Sequence, residues 1–258
     1  QGRGGIPFTN EQAGAEVYNS IMYIAESPHE PETIWVGTDD GLVHITRSGG
    51  EDWADVTPRG LDESIVNTIE VSLHDPATAY AAVMRYKFDD FLPYIYKTTN
   101  YGRSWQRLDD GLPDEAFVRV VREDRQRQGL LYAGTETGIH ISFDDGDNWQ
   151  PLQLNLPAVP ITDLAISHTN DLVAATQGRA FWILDGIAPL QQINNALAGT
   201  EHYLFQPDNA YRHGNGGDQR DSVGGENPPN GAVIYIYFKD APKPEKTLVN
   251  LEILDATG

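Results

Sequence analysis

Three eight-residue segments of this sequence fit one template, and this repeat limits the possible folds more than any other feature. They are residues 46–53 (TRSGGEDW), 98–105 (TTNYGRSW) and 142–149 (SFDDGDNW). The shared pattern is Ser or Thr, any residue, Asp, Asn or Ser, any residue, Gly, any residue, a small polar residue, Trp. The three tryptophans follow one another at 52 and 44 residues. A period in the forties matches one four-stranded propeller blade, a supersecondary unit that buries its faces only by stacking on its neighbours.

The flanks of the boxes repeat as well. Ile34-Trp35-Val36-Gly37-Thr38 precedes the first box, Ala79-Tyr80-Ala81-Ala82-Val83 the second and Leu131-Tyr132-Ala133-Gly134-Thr135 the third. Leu172-Val173-Ala174-Ala175-Thr176 marks a fourth unit that has no box. A further short apolar run stands ahead of each, at residues 21–25, 69–73, 118–121 and 161–166. These runs are rich in Val, Ile and Tyr and are punctuated by Gly, Asp and Pro, which is strand chemistry. Only residues 187–197 carry a helical period. The chain therefore reads as all-β. Four propeller blades are expected at about residues 17–58, 65–113, 117–157 and 161–193, each an antiparallel sheet of three or four strands. They form either part of a larger ring or a closed four-bladed one.

The box has a mechanical reading. Gly50, Gly102 and Gly146 stand where a tight hairpin needs positive φ. Thr46, Thr98 and Ser142 open the boxes, and Ser48, Asn100 and Asp144 are placed to accept backbone N–H groups of the turn. Trp53, Trp105 and Trp149 start the outer strand and are expected to wedge between blades.

Composition narrows the function. Against 18 Lys and Arg stand 38 Asp and Glu, a formal net charge of −20. That balance speaks against nucleic acid, which needs clustered cations, and against a polybasic membrane patch. No apolar run approaches the ~18 residues of a spanning helix. The chain has no Cys, which removes disulfides, thiolate metal sites and cysteine nucleophiles.

The boxes are similar to the Asp-box, or BNR repeat, of sialidases, sortilin-type receptors and photosystem assembly factors. Longer runs resemble the large bacterial exported proteins described as BNR-like or sortilin-N-terminal-like: residues 34–42 (IWVGTDDGL), 94–99 (YIYKTT), 118–124 (VRVVRED), 130–138 (LLYAGTETG), 151–157 (PLQLNLP) and 178–185 (GRAFWILD). The resemblance spans about residues 17–254. It implies an exported bacterial propeller module, completed by further blades from the same precursor or another chain, with an immunoglobulin-like β-sandwich after the propeller. On that reading residues 1–16 are a lead-in, 17–197 the four blades, 198–231 a Gly- and Pro-rich linker and 232–258 the first strands of the sandwich. Both termini read as cuts through a longer protein.

Two functions stay open. The first is a non-catalytic binding or assembly module whose ligand is a protein or a saccharide. The second is a glycoside hydrolase of the xyloglucanase type, in which two carboxylates face each other across a cleft, here completed by sequence outside this chain. The likeness to sialidases stops at the box, because their arginine cluster and tyrosine nucleophile have no counterpart. Candidate carboxylates are Asp39, Asp40, Asp89, Asp90 and Glu136, but Asp39-Asp40 and Glu136 occupy equivalent turns of two units, which favours a role in the repeat. His44, Tyr96 and His140 form one column of the repeat and read as strand residues, not metal ligands. No cofactor and no metal is expected. An insertion in the second unit, with Arg85, Tyr86, Phe88, Phe91 and Tyr94, is a candidate ligand face for sugar or protein, or else packs on its own blade.

Overall fold

The computed structural model describes residues 19–210, 231–243 and 249–254. The expected lead-in 1–16 and most of the Gly- and Pro-rich stretch lie outside the described residues. Two compact units divide between Ile187 and Ala188.

The first unit holds four antiparallel sheets, each with its strands in sequence order. Blade one is β1 (Ile21–Glu26), β2 (Ile34–Thr38), β3 (Val43–Thr46) and β4 (Ala54–Asp55). Blade two is β5 (Ile65–Val71), β6 (Ala79–Arg85), β7 (Asp90–Thr98) and β8 (Gln106–Arg107). Blade three is β9 (Val118–Glu123), β10 (Leu131–Thr135), β11 (Ile139–Ser142) and β12 (Gln150–Pro151). Blade four has three strands, β13 (Ile161–Ile166), β14 (Leu172–Thr176) and β15 (Phe181–Leu184). These meanders are β-propeller blades. The first strand of each blade packs on the first strand of the next: β1 on β5, β5 on β9 and β9 on β13.

The repeat extends below the level of residue type. All four first strands slip register near their start, beside Ile21/Tyr23, Val66/Thr68, Val118/Val120 and Ile161/Asp163. A bulge at the same place in every blade bends the first strand and increases its local twist. Across the second and third strands, His44 pairs with Val36, Tyr96 with Ala81 and His140 with Ala133, so the expected column is one register position.

Burial explains why the central strands read as continuous apolar runs. In β6, Ala79, Ala81 and Val83 join a core with Trp35, Val43 and Ile45 of blade one. The alternate residues Tyr80 and Ala82 join a second core with Val118, Val121 and Leu131 of blade three. Both faces of that sheet are thus covered, and the alternation of polar with apolar residues disappears. Close approach also fixes Gly134, where a Cβ would lie 2.6 Å from Val120 and 2.7 Å from Ile161 of the next blade.

In the second unit the helical period of 187–197 becomes a short helix, α1 (Ala188–Gln192), and a 3-10 turn, Leu197–Gly199. Strands β16 (His202–Leu204) and β17 (Ile236–Phe238) pair antiparallel, with Tyr203 opposite Tyr237. The run 232–238 thus supplies one strand, whose partner comes from the expected linker. Residues 249–254 form no strand.

Candidate functional site

The three boxes build one hydrogen-bond pattern three times. The opening hydroxyl accepts the N–H of the box glycine: Gly50 N to Thr46 Oγ1, Gly102 N to Thr98 Oγ1 and Gly146 N to Ser142 Oγ, each 2.9 Å. The third residue accepts an N–H four positions on: Asp52 N to Ser48 Oγ at 3.0 Å, Ser104 N to Asn100 Oδ1 at 3.0 Å and Asn148 N to Asp144 Oδ1 at 2.9 Å. The glycines have φ of 99°, 78° and 92°, and each follows a second left-handed residue, Gly49, Tyr101 or Asp145. Two successive positive φ values reverse the chain sharply inside the seven-residue connection between the third and fourth strands. Burial alone would raise the Asp144 pKa, but bonds from Asn148 and Ser142 outweigh it and hold the carboxyl below its ordinary value.

The tryptophans differ. Trp149 is 4% exposed and donates Nε1 to the Leu108 carbonyl of blade two at 3.0 Å. Trp105 donates to the Val56 carbonyl of blade one at 2.6 Å and meets Trp35 edge-on, with ring centroids 6.1 Å apart. Each locks its blade to the preceding one. Trp53 departs from the expected wedge: it is 45% exposed. The physical reason is that no blade precedes blade one among the described residues. The box glycines tell the same story. A Cβ on Gly102 would lie 2.6 Å from Val56 and one on Gly146 2.6 Å from Leu108, whereas at Gly50 the nearest atom, 3.9 Å away, belongs to Trp53 itself.

The insertion of blade two splits into two parts. Arg85 donates to Asp90 at 2.8 Å, and Tyr94, which is buried, donates its hydroxyl to the same carboxylate at 2.7 Å. Arg85 and Tyr94 therefore brace the hairpin. Tyr86 and Phe91 stay exposed and lie on the buried Phe117 of the next linker, with ring centroids at 5.3 and 6.3 Å. Phe88 is half-buried in the 3-10 turn Tyr86–Phe88. Phe117 also carries the Arg119 guanidinium over its ring at 5.1 Å, and Arg119 grips Glu136 at 2.7 Å. The candidate face is thus an aromatic patch on a Phe117 floor, a residue the sequence reading missed.

The candidate carboxylates are engaged locally. Asp39 accepts the N–H groups of Asn19 and Ser20 at 2.9 and 2.7 Å, Asp40 takes the Thr38 hydroxyl, and Glu136 takes Arg119. Asp89 is an exposed left-handed residue closing the 3-10 turn.

A different cluster lies where the first strands converge. Arg122 of β9 lies close enough to Tyr23 of β1 to interact with it electrostatically, and donates to Glu70 of β5 at 3.2 Å, to Asp163 of β13 at 2.7 Å and to the Leu164 carbonyl at 2.8 Å. One guanidinium therefore interacts with all three other blades. Burial pushes the Glu70 carboxyl up to about 7, against the pull of Arg122. Glu70 and Asp163 share one cation, which ties both as structural partners. The signal in the sequence was faint: Glu70 and Arg122 occupy the same repeat position with opposite charge, opposite Tyr80 and Tyr132.

Among the described residues no group of three or more His, Asp or Glu is placed to hold a metal, and no helix is long and apolar enough to cross a membrane. No family model and no curated protein matches the sequence. Solved structures do match. The Niastella koreensis GH74 enzyme is 12% identical with a TM-score of 0.50, over 65% of this chain and 28% of its own. A chain of the outer coat vertex of COPII on membranes is 12% identical with a TM-score of 0.51, over 64% of this chain and 46% of its own. YCF48 bound to D1 peptide is 21% identical with a TM-score of 0.48, over 65% of this chain and 52% of its own. In each case the chain spans little more than half of the matched structure, or less. The first two likenesses show the fold alone.

Proposed function

We propose that this chain is a non-catalytic binding and assembly module of an exported bacterial protein, a set of propeller blades that works by docking onto further blades or another protein chain. One observation carries the reading. The blade-to-blade lock made by Trp105 and Trp149 is present a third time at Trp53, but there it faces outward. Ile21, Met22 and Ile24 of β1 are exposed in the same blade, as are Phe181 and Ile183 at the other end. Faces of this kind are the ones that stacked blades bury, and left open they mark an interaction surface. The resemblance of the repeats to bacterial exported proteins supports the exported part of this reading.

Catalysis as a glycoside hydrolase is the rival reading. It needs two carboxylates free to act as acid and as nucleophile or base. Of the turn candidates, Asp39 is held by the Asn19 and Ser20 N–H groups, Asp40 by Thr38, Asp90 by Arg85 and Tyr94 and Glu136 by Arg119, and Glu70 and Asp163 both bond Arg122. A saccharide-array screen combined with reducing-sugar release from xyloglucan separates the two readings. The module is expected to release no sugar. Release that disappears in both Glu70→Gln and Asp163→Asn would overturn the assignment.

A further inference from the structure

Blade four ends early, and the repeat says what is missing. In blades one to three the third strand is followed by a box and a short fourth strand. In blade four the chain keeps the start of that turn: Ile187 N bonds the Asn170 carbonyl at 2.9 Å, as Gly49 bonds Glu32, Tyr101 bonds Ala77 and Asp145 bonds Gly129. Beyond it Ala188 replaces the box glycine and Gln191 the tryptophan, and the chain turns into α1. No strand pairs with the outer edge of β15 among the described residues.

The empty position has a definite shape. In blade three, Trp149 is buried in one cluster with Ile95, Leu108, Leu131 and Ala133. Register places Ile139, Leu152, Leu172 and Ala174 at the same four positions one blade on. All four line one mostly apolar cavity of about 50 Å3, whose lining also includes Leu154, Trp182 and the polar Gln153 and Asn155. The Leu152 carbonyl matches those of Val56 and Leu108, because all three residues donate their N–H to the equivalent residue of the preceding strand, Ile139, Val43 and Ile95, at 2.8, 2.8 and 2.9 Å. Val56 and Leu108 each accept an indole N–H.

Resting on the assembly reading above, we infer that the β15 edge and this cavity form a docking site for an extended, tryptophan-bearing segment of a partner protein, which adds to blade four as its fourth strand. Such strand addition draws affinity from main-chain bonds and specificity from a side-chain pocket. The pairing of β4, β8 and β12 sets the register. The residue after the incoming tryptophan lies opposite Ile183, the next opposite Trp182, and the third donates its N–H to the Phe181 carbonyl. The indole enters the cavity and bonds Leu152. The chain itself does not supply the ring. Its 5 tryptophans are Trp35, Trp53, Trp105, Trp149 and Trp182, and all belong to the blades.

The test uses the full chain and a synthetic peptide of residues 98–108 (TTNYGRSWQRL), carrying 5-fluorotryptophan and followed by fluorine NMR at physiological salt. The expected result is saturable binding, weakened about tenfold or more when the peptide tryptophan becomes alanine, as for a buried aromatic anchor. Leu154→Arg, at an exposed rim position that leaves the fold intact by circular dichroism, weakens binding by a similar factor, while Leu92→Arg does not. Absence of saturable binding overturns the inference, as does equal binding of the alanine peptide or indifference to Leu154→Arg. Two further outcomes also count against it. Self-association abolished by Leu154→Arg would make the occupant a second copy, and a tenfold gain in peptide affinity on deleting residues 1–18 would make it the chain's own start. A partner that docks on blade one while the peptide fails here leaves the assembly reading standing and removes only this site.

Discussion

Truncating each box tryptophan to alanine separates the lock from the turn. Trp149 is buried between blades two and three, so Trp149→Ala removes about 150–250 Å2 of packed surface. At about 25 cal/mol per Å2 that is about 4–6 kcal/mol, and measured Trp→Ala changes in cores run to about 3–5 kcal/mol. The Leu108 carbonyl also loses its donor. We expect a loss of about 4–5 kcal/mol, which in a unit of this size lowers Tm by roughly 10–15 °C. Trp53 has the same place in its box but nearly half its surface in water and no preceding blade among the described residues, so Trp53→Ala is expected to cost about half as much, roughly 2 kcal/mol. Half-buried Trp105 falls between them. Thermal unfolding followed by near-ultraviolet circular dichroism and calorimetry measures all three. Equal losses at the three sites, or the largest at Trp53, would refute the lock.

Other outcomes follow from the same geometry. Gly146→Ala meets both positive φ and the Leu108 side chain and should cost about 2–4 kcal/mol, whereas Gly50→Ala meets only the φ penalty, about 1–2 kcal/mol; chemical denaturation of the pair decides it. Arg122→Ala leaves the Glu70 carboxylate without its cation and should cost about 3 kcal/mol at pH 8. That cost should shrink at pH 5, where Glu70, with its carboxyl near 7, is already protonated. In the parent protein the raised Glu70 pKa contributes stability fully present below about 4.5 and lost as pH rises through about 7, so Glu70→Gln should flatten the stability slope in that window. Asp144 has a lowered pKa, so its contribution is present above the ordinary carboxylate range and disappears as pH falls below it; Asp144→Ala should cost about 1 kcal/mol at pH 7 and less in acid.

The blades were legible because local chemistry repeats. Gly50, Gly102 and Gly146 all need positive φ, a local demand, and Ser48, Asn100 and Asp144 make bonds within four residues, so sequence spacing carries them. Long-range partners were not legible. Nothing near Phe117 announces that Tyr86 and Phe91, from the previous blade's insertion, will lie on it. Arg122 sits in an apolar strand, and its role appears only when β1, β5 and β13 meet around it. That blade four has no fourth strand among the described residues was partly written in the missing box, yet the cavity at the tryptophan position needed the register of four strands. The exposure of Trp53 was hidden because the template is the same in all three boxes, while burial depends on the neighbouring blade.

Light scattering on size-separated chain, alone and mixed with a second polypeptide carrying further boxes, tests most directly whether these blades work by assembly. Alone, the chain is expected to show a mass above 28.5 kDa that grows with concentration, or to aggregate, because blades one and four leave apolar faces in water. With a box-bearing partner it should settle into a complex of fixed mass. A 28.5 kDa monomer at every concentration, unfolding in one two-state step and indifferent to the partner, would contradict the account.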